Sequence, residues 1–127
     1  MSGAVLSRAE RIARLNDVAR RAMGIACVVV ATEGIRALPE ADQSRLRELV
    51  ETFDAFTPDN DPYGERDFGA IYQGLDGVWS SSRPVEVAVA VFWKIGAYDR
   101  ALRFGSEDPA DPAATRRMLT IMLASEY

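Results

Sequence analysis

The sequence predicts an α+β fold in which helices pack on one face of a small antiparallel sheet of three to four strands. Three observations support this class: an apolar stripe at helical spacing after Ser7, a β-branched apolar run over 25–32, and large apolar side chains at every second position of 85–95. Together they predict the element order α-β-α-β-β-α. Because 48% of the 127 residues are hydrophobic, we expect one domain, 1–127, around one core.

The first helix is predicted from the capping-box spacing of Ser7 and Glu10, and Gly24 suits its C-terminal end. Its apolar stripe consists of Ile12, Leu15, Val18, Ala19 and Met23. Its other face carries Arg8, Arg11, Arg14, Arg20 and Arg21. We interpret these arginines as a solvated face, because Arg14 and Arg21 each follow an acidic residue by four positions. DNA binding through this helix would require them to be unpaired.

The middle of the chain predicts a strand, a helix and a turn-rich loop. Residues 25–32 are apolar and bounded by glycines, which favours a buried central strand. Pro39 suits the first position of a helix that we expect to end near Phe56. Residues 57–64 contain two prolines, a glycine and three Asp or Asn residues, and they therefore predict a loop.

The second half predicts two strands and a final helix. Apolar and polar residues alternate sufficiently over 67–73 to predict a strand. The odd positions of 85–95 place six large apolar side chains on one face of a second strand. The dipeptide that begins at Asp111 has the chemistry of a helix start, so we expect a helix through 118–123. The pattern of residues 98–107 does not decide between a helical turn and an extension.

Composition limits the possible chemistry and location. The absence of histidine excludes Ser-His and Cys-His catalysis and most zinc sites. Cys27 is the single cysteine and lies in an apolar run, so we expect it to be a small buried hydrophobe. The formal charge of −4 argues against broad affinity for nucleic acid or anionic membranes. We expect a cytoplasmic protein, because no stretch approaches roughly 18 uninterrupted apolar residues.

The turn-rich loop contains a candidate divalent-cation site. Asp59, Asp61 and Asp67, with Glu65 beside them, offer the carboxylate oxygens that Mg²⁺ and Ca²⁺ prefer. A conventional calcium loop is excluded, because the twelfth position from Asp59 is Ala70 and not a bidentate glutamate.

Two other interpretations apply to the same loop. In the first, Asp59, Asn60 and Asp61 accept hydrogen bonds from backbone amides of a tight turn and have a structural role. In the second, Glu65 and Asp67 share one face of a strand and serve as general acid and base for glycoside hydrolysis.

Several strings resemble those of one bacterial family. They are Phe56 to Glu65, Asp67 to Gly69, Phe92 to Ile95, Tyr98-Asp99, Asp108 to Pro112 and Leu119 to Ala124. On these strings most of the chain resembles the bacterial domain-of-unknown-function family 3768. The resemblance implies no activity, but it implies a protein carried by plasmids, prophages and other mobile elements of alphaproteobacteria. Arg66 stands where the resemblance implies histidine, and the connection 74–85 is longer than it implies.

We predict a non-enzymatic protein-binding module that inhibits or modulates host machinery, for example an anti-defence or anti-CRISPR protein. Its acidic loops, 54–67 and 106–111, are expected to contact a basic host or nucleic-acid-handling protein, without a cofactor and without binding nucleic acid or membrane directly. The predicted partner-binding residues are Asp59, Asp61, Tyr63, Glu65, Asp67, Glu107 and Asp108.

The alternative is a divalent-metal-dependent hydrolase or nucleotide-processing enzyme centred on 59–67. Mg²⁺ or Ca²⁺ would be its cofactor, with Asp108 or Asp111 as an additional ligand. Carboxylates that converge on one point favour the enzyme, whereas outward-facing acids favour the binding module.

Overall fold

One five-stranded sheet with helices on one face organises residues 5–127, the part of the chain that the computed structural model describes. The elements in chain order are α1 Arg8–Arg21, β1 Val28–Ala31, α2 Glu33–Arg36, α3 Glu40–Glu51, β2 Phe68–Gly74, β3 Trp79–Ser80, β4 Val87–Tyr98, β5 Arg116–Leu123 and a 3-10 helix Ala124–Glu126. The predicted α+β class is confirmed, with one strand more than expected. The single-domain prediction includes residues 1–4, which lie outside the described residues.

The sheet order is β1-β5-β4-β2-β3, and β1 runs parallel to β5 while the other neighbours are antiparallel. The predicted final helix over 118–123 is therefore wrong, because this segment lies in strand β5. Leu119 and Ile121 face the core, and Met118 and Met122 alternate with them on the other face. Apolar residues on both faces of a strand make a continuous run that periodicity cannot distinguish from a buried helix.

The turn before β5 explains why Asp111 does not begin the predicted helix. Asp111 Oδ1 accepts a hydrogen bond from the Ala113 amide at 2.9 Å, and the Ala114 amide donates to the Asp111 carbonyl at 3.2 Å. These bonds close a local turn of the kind that Asp side chains form in many loops, and no helix follows. For residues 98–107 the structure shows an extension and a turn: β4 continues to Tyr98, which pairs with Gly105 across the turn.

The strand predicted over 25–32 is shorter than expected and lies at the sheet edge instead of the centre. The amides of Ile25 and Ala26 both donate to the Ala22 carbonyl, so these residues form a turn after α1 and cannot join the strand ladder. Cys27 is buried as predicted, its thiol donates to the Ala19 carbonyl at 3.3 Å, and burial raises its pKa.

Helix α1 has the predicted capping box, in which the Glu10 amide donates to Ser7 Oγ and the Ser7 amide donates to Glu10 Oε1. The predicted solvated arginine face is wrong at Arg20, which is buried in the core. Helix α3 ends at Glu51 and not near Phe56, because Arg20 binds the carbonyls at its C-terminal end.

The core lies between the helices and the inner face of the sheet. The sheet supplies Ile71, Val91, Trp93, Ile95, Leu119 and Ile121, and the helices and the residues after α3 supply Ala19, Ile35, Leu46, Val50 and Phe53. The predicted alternation is confirmed from Val87 onward, since the odd positions of β4 face this core, but it is wrong at Val85, which precedes the strand and is fully exposed. On the outer face Phe92 packs on Phe68 and on Tyr127, with ring centroids 5.1 and 5.7 Å apart.

No helix within residues 5–127 combines the length and apolar character that crossing a membrane requires.

The strand assignment of 118–123 predicts an alternating sensitivity to substitution. Leu119→Ala removes a fully buried side chain, so we expect it to lower the free energy of unfolding by about 2–5 kcal/mol. Thr120→Ala changes the outer face and is the control, with an expected loss below about 1 kcal/mol. Urea denaturation of both variants measures the difference, and equal losses at the two positions would contradict the strand.

Candidate functional site

Two loops are strongly acidic, and their combined net charge exceeds that of the whole chain. The first acidic loop, residues 54–67, has five acidic residues and one arginine, a formal charge of −4. The second acidic loop, residues 106–111, has three acidic residues and no basic one, a formal charge of −3. Because the whole chain has a formal charge of −4, the remaining residues together carry +3. The acidic character of the protein is therefore local.

The first acidic loop is held in shape by its own polar side chains. The Thr57 amide donates to Asn60 Oδ1 at 2.8 Å, and the Asn60 amide donates back to Thr57 Oγ1 at 3.2 Å. Asn60 Nδ2 also donates to the Ala55 carbonyl at 2.8 Å, and Asp61 Oδ1 accepts from the Arg66 amide at 3.2 Å. The structural interpretation is thus confirmed for Asn60 and Asp61 but not for Asp59, whose side chain accepts no hydrogen bond from the described residues.

A buried arginine connects this loop to both long helices. Arg20 of α1 is 1% exposed, and its Nη2 donates to Asp17 Oδ1. The other oxygen of Asp17, Oδ2, accepts from Arg66 Nη1 at 3.1 Å. At the C-terminal end of α3, Arg20 Nη1 donates to the carbonyls of Val50, Glu51 and Phe53. Asp17 therefore links the arginine that caps α3 to the arginine of the first acidic loop.

Aromatic rings surround the two arginines. The Arg20 guanidinium lies 5.5 Å from the ring centroid of Phe56 and 5.4 Å from that of Trp93. Arg66 lies 5.2 Å from the Phe56 ring. Burial lowers the pKa of Arg20, and the hydrogen bond to Asp17 opposes this shift. The group stays charged at neutral pH, and the ring faces stabilise it.

Sequence reasoning missed the burial of Arg20, although a signal was present. Arg20 lies four residues after Asn16 and eight after Ile12, and all three lie on the buried side of α1. Since residues four apart share a helix face, the predicted apolar stripe continues through these polar positions. A polar residue on a core stripe indicates a buried hydrogen-bond network.

A second buried link joins the two acidic loops to each other. Asn16 Nδ2 donates to the Glu65 carbonyl at 2.8 Å, and Asn16 Oδ1 accepts from Arg117 Nε at 2.7 Å. Arg117 Nη2 then donates to the carbonyl of Pro109 in the second acidic loop. Both loops are consequently fixed to the same pair of core side chains.

The predicted partner-binding residues divide into two groups. Exposed residues are Asp59, Tyr63, Glu107 and Asp108, and partly buried ones are Asp61, Glu65 and Asp67. Tyr63 is 81% exposed, the highest value for an aromatic side chain among the described residues. Asp108 forms a long ion pair with Arg8 at 3.9 Å, and both side chains are more than half exposed. The exposed group is available to a partner, whereas Asp61 has a structural role.

The metal and glycosidase hypotheses find little support in this geometry. Within residues 5–127 no three His, Cys, Asp or Glu side chains lie close enough to hold a metal ion. The predicted ligands Asp59, Asp61 and Asp67 thus do not converge. Glu65 and Asp67 are not two positions of one strand, because β2 begins at Phe68 and Arg66 between them has a positive φ of 54°.

Asp67 is the acid with the least favourable surroundings in this region. Burial raises its pKa above the ordinary value of 3.8, and the nearby Asp61 raises it further. A backbone hydrogen bond and Lys94 oppose the shift. The folded state therefore keeps a proton at pH values where the unfolded state has lost it, so the free energy of unfolding falls as pH rises from about 3.8 through the raised pKa.

The Arg20 network predicts a large effect from a single truncation. Arg20→Ala leaves Asp17 without its buried partner and removes the donor from the last two α3 carbonyls and from that of Phe53, so we expect a loss of about 3–5 kcal/mol in stability. Arg21→Ala is the matched control on the exposed side of α1 and should change stability by less than about 0.5 kcal/mol. Chemical denaturation of both variants measures the difference, and similar values for the two would refute the network.

The shift at Asp67 predicts a change in pH dependence. Asp67→Asn removes the ionisation that penalises the folded state, so the variant should gain stability relative to the wild type as pH rises from about 3 to about 7. Denaturation at several pH values measures this gain. Asp59→Asn, an exposed acid of the same loop, controls for the loss of one negative charge. An identical pH profile in Asp67→Asn and the wild type is the contrary result.

Comparison with known proteins places the chain in a family without assigning an activity. No curated protein and no solved structure matches the sequence. A family model described as "Protein of unknown function (DUF3768)" matches residues 31–126, about three quarters of the chain. The match includes both acidic loops and the whole sheet except the first residues of β1, and it begins after α1. The chain belongs to the DUF3768 family of proteins of unknown function.

Proposed function

We propose that this protein is a non-enzymatic protein-binding module whose two acidic loops contact a basic partner. The observation that supports the proposal most directly is the fixation of both loops on one buried network, Asn16 with Arg117, while their outward side chains stay exposed. A preorganised surface loses little conformational entropy when a partner binds, which favours recognition.

The charge distribution supports a basic partner. Formal charges of −4 and −3 lie in the two acidic loops, and the rest of the chain carries +3. Such a polarised molecule orients in the field of a basic protein, which accelerates association and disfavours acidic partners. Asp59 and Glu107 are exposed and contribute to this field without a hydrogen bond to another described residue.

Tyr63 is the expected anchor of the interface. Its ring is 81% exposed and lines a shallow groove together with Phe56, Pro58, Pro62 and Arg66. Large aromatic side chains dominate the binding energy of many interfaces, because they bury much area with few rotatable bonds. A partner arginine that contacts both the Tyr63 ring and a carboxylate of the loop would use the two features together.

The finer proposal concerns the biological partner. We infer an inhibitor or modulator of host nucleic-acid-handling machinery, such as an anti-defence or anti-CRISPR protein. Carboxylates on a fixed loop can imitate the phosphate charge that such machinery binds through arginine and lysine. The mobile-element context implied by the family resemblance is consistent with this role and supplies the cellular setting of the proposal.

The proposal predicts that binding depends on two exposed residues of the first acidic loop. The tagged protein is used to capture partners from a lysate of the organism that carries the gene, and a captured protein is then purified for calorimetry. The double variant Asp59→Asn, Tyr63→Ala should weaken binding at least tenfold, because it removes one charge and the aromatic anchor. Neither side chain has a hydrogen-bonding role in the fold, so the variant should stay folded.

A matched control lies at the opposite end of the sheet. Glu86→Gln with Val85→Ala also removes one acidic charge and one exposed apolar side chain, and it should bind like the wild type. Binding should also weaken as salt rises from about 50 to about 300 mM, because the attraction is electrostatic. Equal affinity of the two double variants, or a purified partner with no excess of basic residues at the contact, would contradict the proposal.

A further inference from the structure

A second surface feature is a cavity at the end of the sheet where β1 and β5 begin. Residues 24–29 line one side of it, and Arg100 and residues 115–117 line the other. Its volume is about 540 Å³, which is within the range of small-molecule sites. It lies apart from the groove of Tyr63 and shares no lining residue with it.

The cavity has an unusual charge for this protein. Arg100, Arg116 and Arg117 line it, and no acidic residue does. None of the three forms a salt bridge with any residue in the described part of the chain, although acidic residues outnumber basic ones 19 to 15. A cavity lined by basic side chains and by no acidic one favours an anionic ligand.

Arg117 provides a fixed donor at this place. It is 6% exposed, and its Nε and Nη2 are held by Asn16 Oδ1 and the Pro109 carbonyl. Its remaining terminal nitrogen, Nη1, makes no hydrogen bond to another described residue. Arg100 and Arg116 are exposed, so their side chains can turn toward an anion. The site combines one guanidinium that the fold holds in place with two exposed ones.

We propose that this cavity binds the phosphate group of a small phosphorylated molecule. A phosphate dianion accepts paired hydrogen bonds from the planar fork of arginine. Three arginines carry more positive charge than one carboxylate ligand could neutralise, which favours the doubly charged phosphate. The flanking second acidic loop and the net charge of −4 repel a long polyanion such as nucleic acid. A small ligand that enters the cavity avoids this repulsion.

Nuclear magnetic resonance titration with inorganic phosphate and with pyrophosphate tests the assignment. In the wild type we expect saturable shifts of the backbone amides of residues 24–29, 100 and 115–117, with pyrophosphate binding more tightly. Arg100→Gln with Arg116→Gln should weaken pyrophosphate binding at least tenfold. Arg117 stays unchanged, since its bonds to Asn16 and Pro109 hold the fold together.

The control variant changes the net charge equally at other sites. Arg14→Gln with Arg36→Gln also removes two exposed arginines, neither of which lines the cavity, and it should bind pyrophosphate like the wild type. Three outcomes would overturn the assignment: no saturation by either anion, equal weakening in both double variants, or tighter binding of a single-stranded oligonucleotide at the same amides. Because neither double variant alters the first acidic loop, this test fails or succeeds independently of the proposed partner interface.

Discussion

The hydrogen-bonded guanidinium of Arg20 is the interaction on which the arrangement of helices and loop depends. A buried charge costs several kcal/mol unless its donors are paired. The two terminal nitrogens of Arg20 make four donations, to Asp17, to the last two carbonyls of α3 and to that of Phe53, while Nε has no hydrogen-bond partner among the described residues. Aromatic ring faces lie against the guanidinium. These partners belong to α1, α3, the first acidic loop and β4. The position of each relative to the others is therefore set by one side chain.

The aromatic cluster beneath the first acidic loop forms the apolar part of the same arrangement. Phe53, Phe56 and Trp93 meet edge to face, with centroids 5.0 to 6.0 Å apart. Gly69 on β2 allows this packing, because a Cβ at that position would collide with the Trp93 indole. Large rings packed this way exclude water from around Arg20, which strengthens its hydrogen bonds. The loop thus lies on a rigid apolar base and directs its remaining polar side chains outward.

Opposite charges occupy different parts of one small surface. The two acidic loops have formal charges of −4 and −3, whereas the cavity beside β1 and β5 is lined by three arginines. Arg117 belongs to both regions, since it holds the second acidic loop through Pro109 and lines the cavity. A ligand in the cavity and a partner on the loops would therefore contact opposite ends of one hydrogen-bonded chain. This continuity is a physical route by which occupancy of one surface can affect the other.

Local chemistry was sufficient to predict a large part of this protein. The capping box at Ser7, the alternation along β4, the turn at 57–64 and the buried Cys27 each depend on neighbouring residues only, and the structure has all four. The candidate loop was also evident from its concentration of Asp, Asn and Pro residues. Periods of 2 and 3.6 and turn-forming residues report conformation within a few positions, and such signals survive in a single sequence.

Tertiary contacts decided the rest. An apolar run such as 118–123 suits either a buried helix or a central strand, and its parallel pairing with β1, about 90 residues earlier, selects the strand. Arg20 looks like a surface residue until the C-terminal end of α3 and the residues after it present their carbonyls, which lie 30 to 33 positions away along the chain. The sequence by itself thus determined the composition, the local turns and the alternating strand. Only the folded chain decided which polar side chains became buried, because burial depends on partners that sequence neighbours do not reveal.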